Sequence, residues 1–262
     1  MDIPALLEGL PARLSAIPAH WAARTPDAPA LHEGGRSWTY AQLRHSVESA
    51  AQLLRQLDVR AGDRLMVVGE NSALQVALIF AAASIDAWIV NVNARLSARE
   101  IDTIAEHSSA RRVLFLAGAS PEAGAHAARL GAASATVDGM GQLLAGALNE
   151  TAIAEDTLPG NEQVAALIYT TGTTGQSKGV MLTHRNLLFI AAVSSTLRGL
   201  SSTDRAYGVL PISHVYGLAS VALGTLYAGA ALYLVPRFSV DGLLSALKDD
   251  GLTIVQGVPA MY

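Results

Sequence analysis

Apolar runs alternate with amphipathic stretches along most of the chain. Arg64-Leu-Met-Val-Val-Gly69 has the length and composition of a buried strand, and the apolar stretch from Ser72 to Ser84 predicts a helix after it. Trp88-Ile-Val-Asn-Val92 and Val113-Leu-Phe-Leu116 read as further strands. Between them, Ser97-Ala-Arg-Glu100 is a capping box. Its hydroxyl and carboxylate can satisfy each other's backbone donors, so a helix starts there. The Ala/Gly-rich stretch from Pro121 to Leu148 is less periodic and could hold two helices around Ala135-Thr-Val137. Asn149 to Glu162 is polar and acidic, contains Pro159-Gly160, and reads as a linker or surface loop.

After this loop the alternation resumes. Strands are expected at 164–169, 179–182, 206–210, 231–235 and 253–256. Helices are expected from about Arg185 to Arg198, at 216–227 and at 240–248, and Val258-Pro259 opens another element. Such alternation predicts an α/β fold of layered, mainly parallel sheets flanked by helices. The loop divides the expectation into a first α/β subdomain, residues 1–160, and a second segment, 161–262, that carries the start of another.

Composition narrows the class. Of 262 residues, 51% are hydrophobic and 15% charged, enough apolar material for a large core and too much for disorder. A net charge of -4 gives no basic face for nucleic acid or an anionic membrane. The absence of cysteine excludes disulfides, thiolate zinc sites and a cysteine nucleophile, and it fits a reducing, cytoplasmic compartment. The N-terminus lacks the basic start and unbroken apolar core of a signal peptide. Two stretches are apolar enough to resemble membrane spans. Ser72 to Val90 is interrupted by Gln75 and Asp86. Val215 to Pro236 carries no charge and is long enough to span, but Tyr227-Ala228-Gly229-Ala230 reads as a turn with a β-like segment behind it. A buried helix-turn-strand is therefore expected there.

The densest chemical signal is Tyr169-Thr-Thr-Gly-Thr-Thr-Gly-Gln-Ser-Lys-Gly179. Its glycines at 172, 175 and 179 permit positive φ and close approach of a ligand to the backbone. The hydroxyls of Thr170, Thr171, Thr173 and Thr174 can donate to anionic oxygens, successive N–H groups can form an anion nest, and Lys178 adds a cation. That set suits a polyphosphate; a flexible Gly/Thr hairpin between two strands is the plainer alternative. A Walker loop is excluded, because Lys178 follows Ser177, precedes Gly179, and leads into a strand rather than a helix.

Thr170 to Gly179 resembles the phosphate-binding signature of the adenylate-forming superfamily, with Ser177 where proline is usual. Three more segments resemble that family's signatures in order: Ser37-Trp-Thr-Tyr-Ala-Gln-Leu43, Phe80 to Leu96, and Leu210-Pro-Ile-Ser-His-Val-Tyr-Gly217. Ser84-Ile85-Asp86 departs from the common Lys-Ala-Gly. Asn91-Val-Asn-Ala-Arg95 is more similar to the acyl- and aryl-CoA synthetase branch than to peptide-synthetase adenylation domains.

The resemblance implies activation of a carboxylic acid by Mg-ATP to acyl-AMP and pyrophosphate, followed by transfer to CoA. It implies that Thr170 through Gly175 and Lys178 hold the ATP phosphates, and that Thr170 contacts Mg2+. His214 would border the adenylate pocket and Tyr216 the acid side. Arg237 matches a position that is often basic and could meet CoA phosphate, or could be a solvated strand-end charge. Neither Lys178 nor His214 would act alone, since adenylation depends on positioning and charge neutralisation. The family's adenine-side Tyr-Gly-x-Thr-Glu segment, its ribose-binding aspartate, its hinge and its small C-terminal domain have no match here. The chain is thus expected to be the N-terminal portion of such an enzyme and inactive by itself. A carrier-protein thiol as acceptor, a different nucleotide enzyme and a non-catalytic nucleotide-binding fragment are the alternatives. The remaining histidines (20, 32, 45, 107, 126 and 184) show no metal-ligand spacing, and His184 reads as a helix-start residue.

Overall fold

The computed structural model describes residues 2–171 and 177–261. In chain order the elements are α1 (Ile3–Glu8), α2 (Ala16–Arg24), β1 (Pro29–Glu33), β2 (Arg36–Thr39), α3 (Tyr40–Gln56), β3 (Arg64–Gly69), α4 (Ala73–Ser84), β4 (Trp88–Asn93), α5 (Ala98–His107), β5 (Arg112–Phe115) and α6 (Pro121–Arg129). There follow β6 (Ala133–Val137), β7 (Gly141–Ala145), β8 (Val164–Thr171), β9 (Ser177–Thr183), α7 (His184–Leu197), β10 (Arg205–Gly208), a π-helix (Tyr216–Leu223), α8 (Gly224–Tyr227), β11 (Ala231–Leu234), α9 (Val240–Ser245) and β12 (Ile254–Val255).

The strands form two sheets, ordered β12-β10-β11-β1-β2 and β6-β7-β5-β3-β4-β8-β9. Each sheet draws strands from both sides of residue 160. Pairing is parallel through both centres, and the antiparallel pairs lie toward the edges, at β2, β6, β7 and β9. The parallel strands are apolar runs because both faces are covered. In β3, Leu65 and Val67 face a core shared with α3, α4, α7 and the π-helix, whereas Met66 and Val68 face a second core against α5 and α6. A third cluster, Tyr207, Val209, Ala246 and Leu252, covers the outer face of the five-stranded sheet. Five layers result: helices, the seven-stranded sheet, central helices, the five-stranded sheet, and the α9 segment.

Several expectations are met closely. The capping box opens α5, with the Ser97 hydroxyl accepting from the Glu100 N–H and the Glu100 carboxylate accepting from the Ser97 N–H. The uncharged stretch from Val215 breaks where the sequence indicates. The π-helix and α8 stop at a turn in which Gly229 has φ +78°, a conformation open to glycine. The Trp21 indole packs against that glycine and donates to Tyr227 O at 3.2 Å, and the buried Tyr40 hydroxyl donates to Ala230 O at 2.9 Å. Among the described residues no helix is long and apolar enough to cross a membrane. Asn149 to Glu162 is irregular as expected, yet it is lashed down by arginines. Arg64 donates to Ile153 O at 2.8 Å, and Arg111 to Asn149 O and Ala152 O at 2.9 and 2.7 Å.

One expectation fails. Residues 121–148 hold a single helix, α6, and then the hairpin β6–β7 instead of a second helix. Gly139 and Gly141 have φ of 75° and 104°, which makes the turn, and Trp38 Nε1 donates to Gly139 O at 2.8 Å. Tertiary pairing of β7 with β5 decides a segment whose local pattern is weak.

His184 does start α7, but its role is larger. Its side chain is fully buried, and its Nδ1 accepts from the Leu14 N–H at 3.2 Å, tying the N-terminal segment to the β9–α7 junction. Burial, reinforced by the nearby Arg13 charge and opposed by Asp86, pushes its pKa down to about 4. The unfolded chain binds this proton near pH ~6.5, and the folded protein resists binding it until about pH 4. The histidine's contribution is therefore complete above pH ~6.5 and is lost as pH falls through that window, amounting to about 3 kcal/mol. Urea unfolding at a series of pH values should show this acid slope reduced in His184→Gln relative to wild type; identical slopes would disprove it.

Candidate functional site

The glycine- and threonine-rich segment joins two antiparallel strands at the edge of the seven-stranded sheet. β8 is the last parallel strand, next to β4, and β9 returns along it with Thr170 opposite Lys178 and Thr171 opposite Ser177. Thr170 and Lys178 are both exposed. Among the described residues Lys178 has no ion pair, so its charge is uncommitted. Gly172, Thr173, Thr174 and Gly175, expected to line the phosphate site, lie outside the described residues. Gly179 lies within β9 and does not use the positive φ that glycine permits. A Cβ there would meet the Tyr169 ring at 3.3 Å, so the glycine makes room for the aromatic opposite it. The Tyr169 hydroxyl lies 2.7 Å from His107 Nδ1, which pins the base of the hairpin to the end of α5.

Because β5, β3, β4 and β8 are parallel, their C-terminal ends share one edge with this hairpin loop. That edge is where open α/β sheets place ligands. β10 and β11 deliver the ends of the other sheet to the same region, and a small cleft is lined from both: Gly69, Glu70 and Asn71 after β3, Asn93 and Arg95 after β4, and Pro211, Ser213 and Pro236 from the second sheet.

Glu70 is the electrostatic centre of this edge. Its side chain is 3% exposed and pairs with Arg95 at 3.2 Å and Arg237 at 3.1 Å. Arg237 continues to Glu122 at 2.6 Å, and that hydrogen bond is the main reason the Glu122 carboxyl is held down at about 2. Arg237 is therefore neither free nor simply solvated: two carboxylates occupy it.

His214 and Tyr216 stand exposed on the turn that enters the π-helix. The turn is held by backbone bonds from His214 N–H to Pro211 O at 3.0 Å and from Leu218 N–H to His214 O at 2.9 Å. Gly217 permits the close approach: a Cβ there would lie 2.6 Å from Leu210 O and nearer still to Pro211 O. Asn71 grips the same segment, donating to Gly208 O and Leu210 O and accepting from the Ile212 N–H.

A family model described as AMP-binding enzyme matches residues 18–262. The chain belongs to this family. It is 34% identical over 253 residues to a feruloyl-CoA synthase of an Amycolatopsis species, covering 95% of this chain and 49% of that protein. It is 32% identical over 246 residues to 4-coumarate–CoA ligase 3 of Oryza sativa subsp. japonica, covering 88% and 43%. Its fold is that of ATP-bound MatB from Rhodopseudomonas palustris, with a TM-score of 0.77 at 26% identity over 97% of this chain and 50% of that one. The chain spans about half the length of the relatives it matches.

At the candidate site the residues that the sequence did not single out are Glu70, Asn71 and Glu122. Each acts on groups distant in sequence, so no local spacing announced it. A larger cleft of about 610 Å³ lies between the β1–β2 turn, the start of α4 and the β6–β7 hairpin, and none of the motif residues named above except Trp38 lines it. Its Arg36 is stacked on Trp38, with 4.8 Å to the ring centroid. Volume does not outweigh the chemistry at the strand ends.

Gly217→Ala tests the turn. Driving a methyl into two carbonyl oxygens should cost about 2–3 kcal/mol, in the range of overpacked sites. Denaturant unfolding of the variant measures it, and a loss below about 0.5 kcal/mol, the level of neutral surface changes, would show that the turn relaxes freely.

Proposed function

We propose that this chain carries the ATP-phosphate and acyl-adenylate side of an enzyme that activates a carboxylic acid to acyl-AMP and then to acyl-CoA. The observation that carries the reading is the β8–β9 hairpin of an AMP-binding family member, which sets exposed Thr170 opposite an uncommitted Lys178 at the carboxyl edge of a parallel sheet. An ammonium without a carboxylate partner, beside a threonine, suits a polyphosphate.

In the first half-reaction a carboxylate oxygen attacks the α-phosphorus, a new P–O bond forms, and pyrophosphate leaves. Attack of one anion on another is slow unless charge is neutralised and the groups are aligned. Lys178, Thr170, Thr171 and the loop from Gly172 to Gly175 would hold the β- and γ-phosphates and the departing pyrophosphate. Among the described residues no cluster of three His, Asp or Glu side chains is placed to hold a metal. Mg2+, which normally keeps phosphate and water ligands, would take Thr170 as at most one protein contact. In the second half-reaction a thiol attacks the acyl carbon and AMP leaves.

The acids named for the curated relatives support an aryl acid as substrate, and their names support CoA as acceptor. His214 and Tyr216 would border the adenylate and the acid. A CoA phosphate at Arg237 would have to compete with Glu70 and Glu122. That observation keeps a carrier-protein thiol as the second reading.

Lys178→Ala in the complete enzyme tests the proposal. Loss of a charge-assisted bond to phosphate, about 1.5–3 kcal/mol, should slow adenylation by about 10- to 150-fold and weaken MgATP binding. Thioester formation from pre-formed acyl-AMP should change little, because pyrophosphate has already gone. Lys178→Arg should recover little, since a planar fork does not replace a compact ammonium. Single-turnover measurement of each half-reaction over a panel of aryl and fatty acids decides the matter. Equal losses in both halves, or none in either, would remove the phosphate role.

A further inference from the structure

β10 ends at Gly208, and residues 209–215 leave the ladder before the π-helix begins. Beyond the strand, one side chain from the other sheet takes over as hydrogen-bond partner. Asn71 Nδ2 donates to Gly208 O and to Leu210 O, both at 3.0 Å, and Asn71 Oδ1 accepts from the Ile212 N–H at 2.9 Å. The partners fall at every second residue, from the last residue of β10 into the turn at residues 211–214. A primary amide offers two donors and one acceptor group, and here both kinds are used at normal lengths in a site where Asn71 is 4% exposed. The last ladder bond, from Val235 N–H to Gly208 O at 3.4 Å, ends at Gly208; the Asn71 side chain does the work of a neighbouring strand's peptide groups for residues 210–212 beyond it.

Two further contacts pass this constraint along. The Leu210 and Pro211 carbonyls form the surface on which Gly217 packs, and the His214 N–H bonds to Pro211 O. Among the described residues the His214 imidazole makes no hydrogen bond of its own, so its placement is inherited from the backbone beneath it.

We propose that Asn71 is the positioning residue for His214 and Tyr216, setting their distance from the β3 end and hence from the β8–β9 hairpin; its catalytic consequence rests on the function proposed above. No close analogue can substitute. Aspartate lacks the two donors and repels both carbonyls when ionised, leucine leaves Leu210 O and the Ile212 N–H without the partner Asn71 gives them, and alanine also opens space.

Two measurements test it. In the complete enzyme, Asn71→Ala should lower the kcat of adenylation by about 10- to 100-fold while KM for MgATP stays within about threefold, because the phosphate hairpin is built on a different strand pair. Asn71→Asp should regain activity relative to wild type between about pH 8 and about pH 6, since a protonated carboxyl can donate to one carbonyl and accept from Ile212. A purely structural asparagine would instead lower the melting temperature and leave the kcat of the folded fraction unchanged, and that result overturns the proposal. The second measurement needs no turnover. In the 262-residue chain with labelled histidines, the His214 ring resonance should shift and broaden in Asn71→Ala, while those of His45 and His184 stay in place. An unmoved His214 resonance refutes the positioning role. Should wild type form no adenylate, the functional reading fails and the resonance alone decides Asn71. Where Asn71→Ala does not fold, Asn71→Ser replaces it and should show a smaller loss in the same parameters; wild-type behaviour of that variant again overturns the idea.

Discussion

The helix α4 is enclosed on every side, with each residue from Ala73 to Ala83 buried, and that constraint orders the rest of the chain. A helix with no wet face must run between two covering layers. Here these are the inner face of the seven-stranded sheet and the helices and β1 of the other half. The sequence meets the demand with alanines that allow close packing and with larger apolar side chains filling the gaps. Its one interior polar residue, Gln75, donates from Nε2 to Asn91 Oδ1 on β4 at 3.2 Å, which offsets part of the cost of burying the amide, while Gln75 Oε1 and Asn91 Nδ2 have no partner among the described residues. The same requirement explains why Ser72 to Val90 is as apolar as a membrane segment.

Polar chemistry is consequently confined to the ends of the central layer. Where β3 hands over to α4, three consecutive residues each take a different task. Glu70 gathers Arg95 and Arg237, Asn71 grips residues 208–212, and Ser72 caps the helix by accepting from the Gln75 N–H. Glu33 joins them from the second sheet, accepting from the Ala73 N–H at 2.8 Å at the positive end of the helix dipole. Desolvation nevertheless raises the Glu33 pKa, so burial outweighs both the Ala73 hydrogen bond and the nearby Arg36 charge. The junction joins the sheets by directed bonds where the core joins them by area. Hydrophobic contact is tolerant of small slides, whereas three hydrogen bonds to one amide are not. Precision in the relative placement of the two strand edges therefore resides in this short stretch.

The fold was legible wherever burial on both faces forced continuous apolar runs. β3, β4, β5, β10 and β11 fall within a residue or two of the positions their composition indicates. The hairpin β6–β7 was not legible, because β6 is largely exposed and the segment offers alanine, glycine, serine and threonine over much of its length, where a pattern would need larger residues. At the site, local motifs located Thr170, Lys178, His214 and Tyr216, but the groups that hold them are remote. Asn71 meets Leu210 across 139 positions and Arg237 meets Glu70 across 167. No period or spacing encodes such a pair. Arg237 shows the consequence: its charge was visible in the sequence, and its two carboxylate partners were not.

Gly179 illustrates a subtler limit. A glycine in a Gly/Thr-rich stretch has two physical explanations, a left-handed backbone or the removal of a side chain from a crowded place. Composition cannot separate them. The cross-strand register does: Tyr169 stands opposite, its ring lies 3.3 Å from where a Cβ would be, and its hydroxyl is engaged by His107. The strands β8 and β9 therefore remain paired up to Thr171 and Ser177. The ladder places Lys178 opposite Thr170 with strand-like accuracy, at the carboxyl edge of the sheet. An edge hairpin can serve a phosphate in this way without the helix N-terminus that a Walker loop requires.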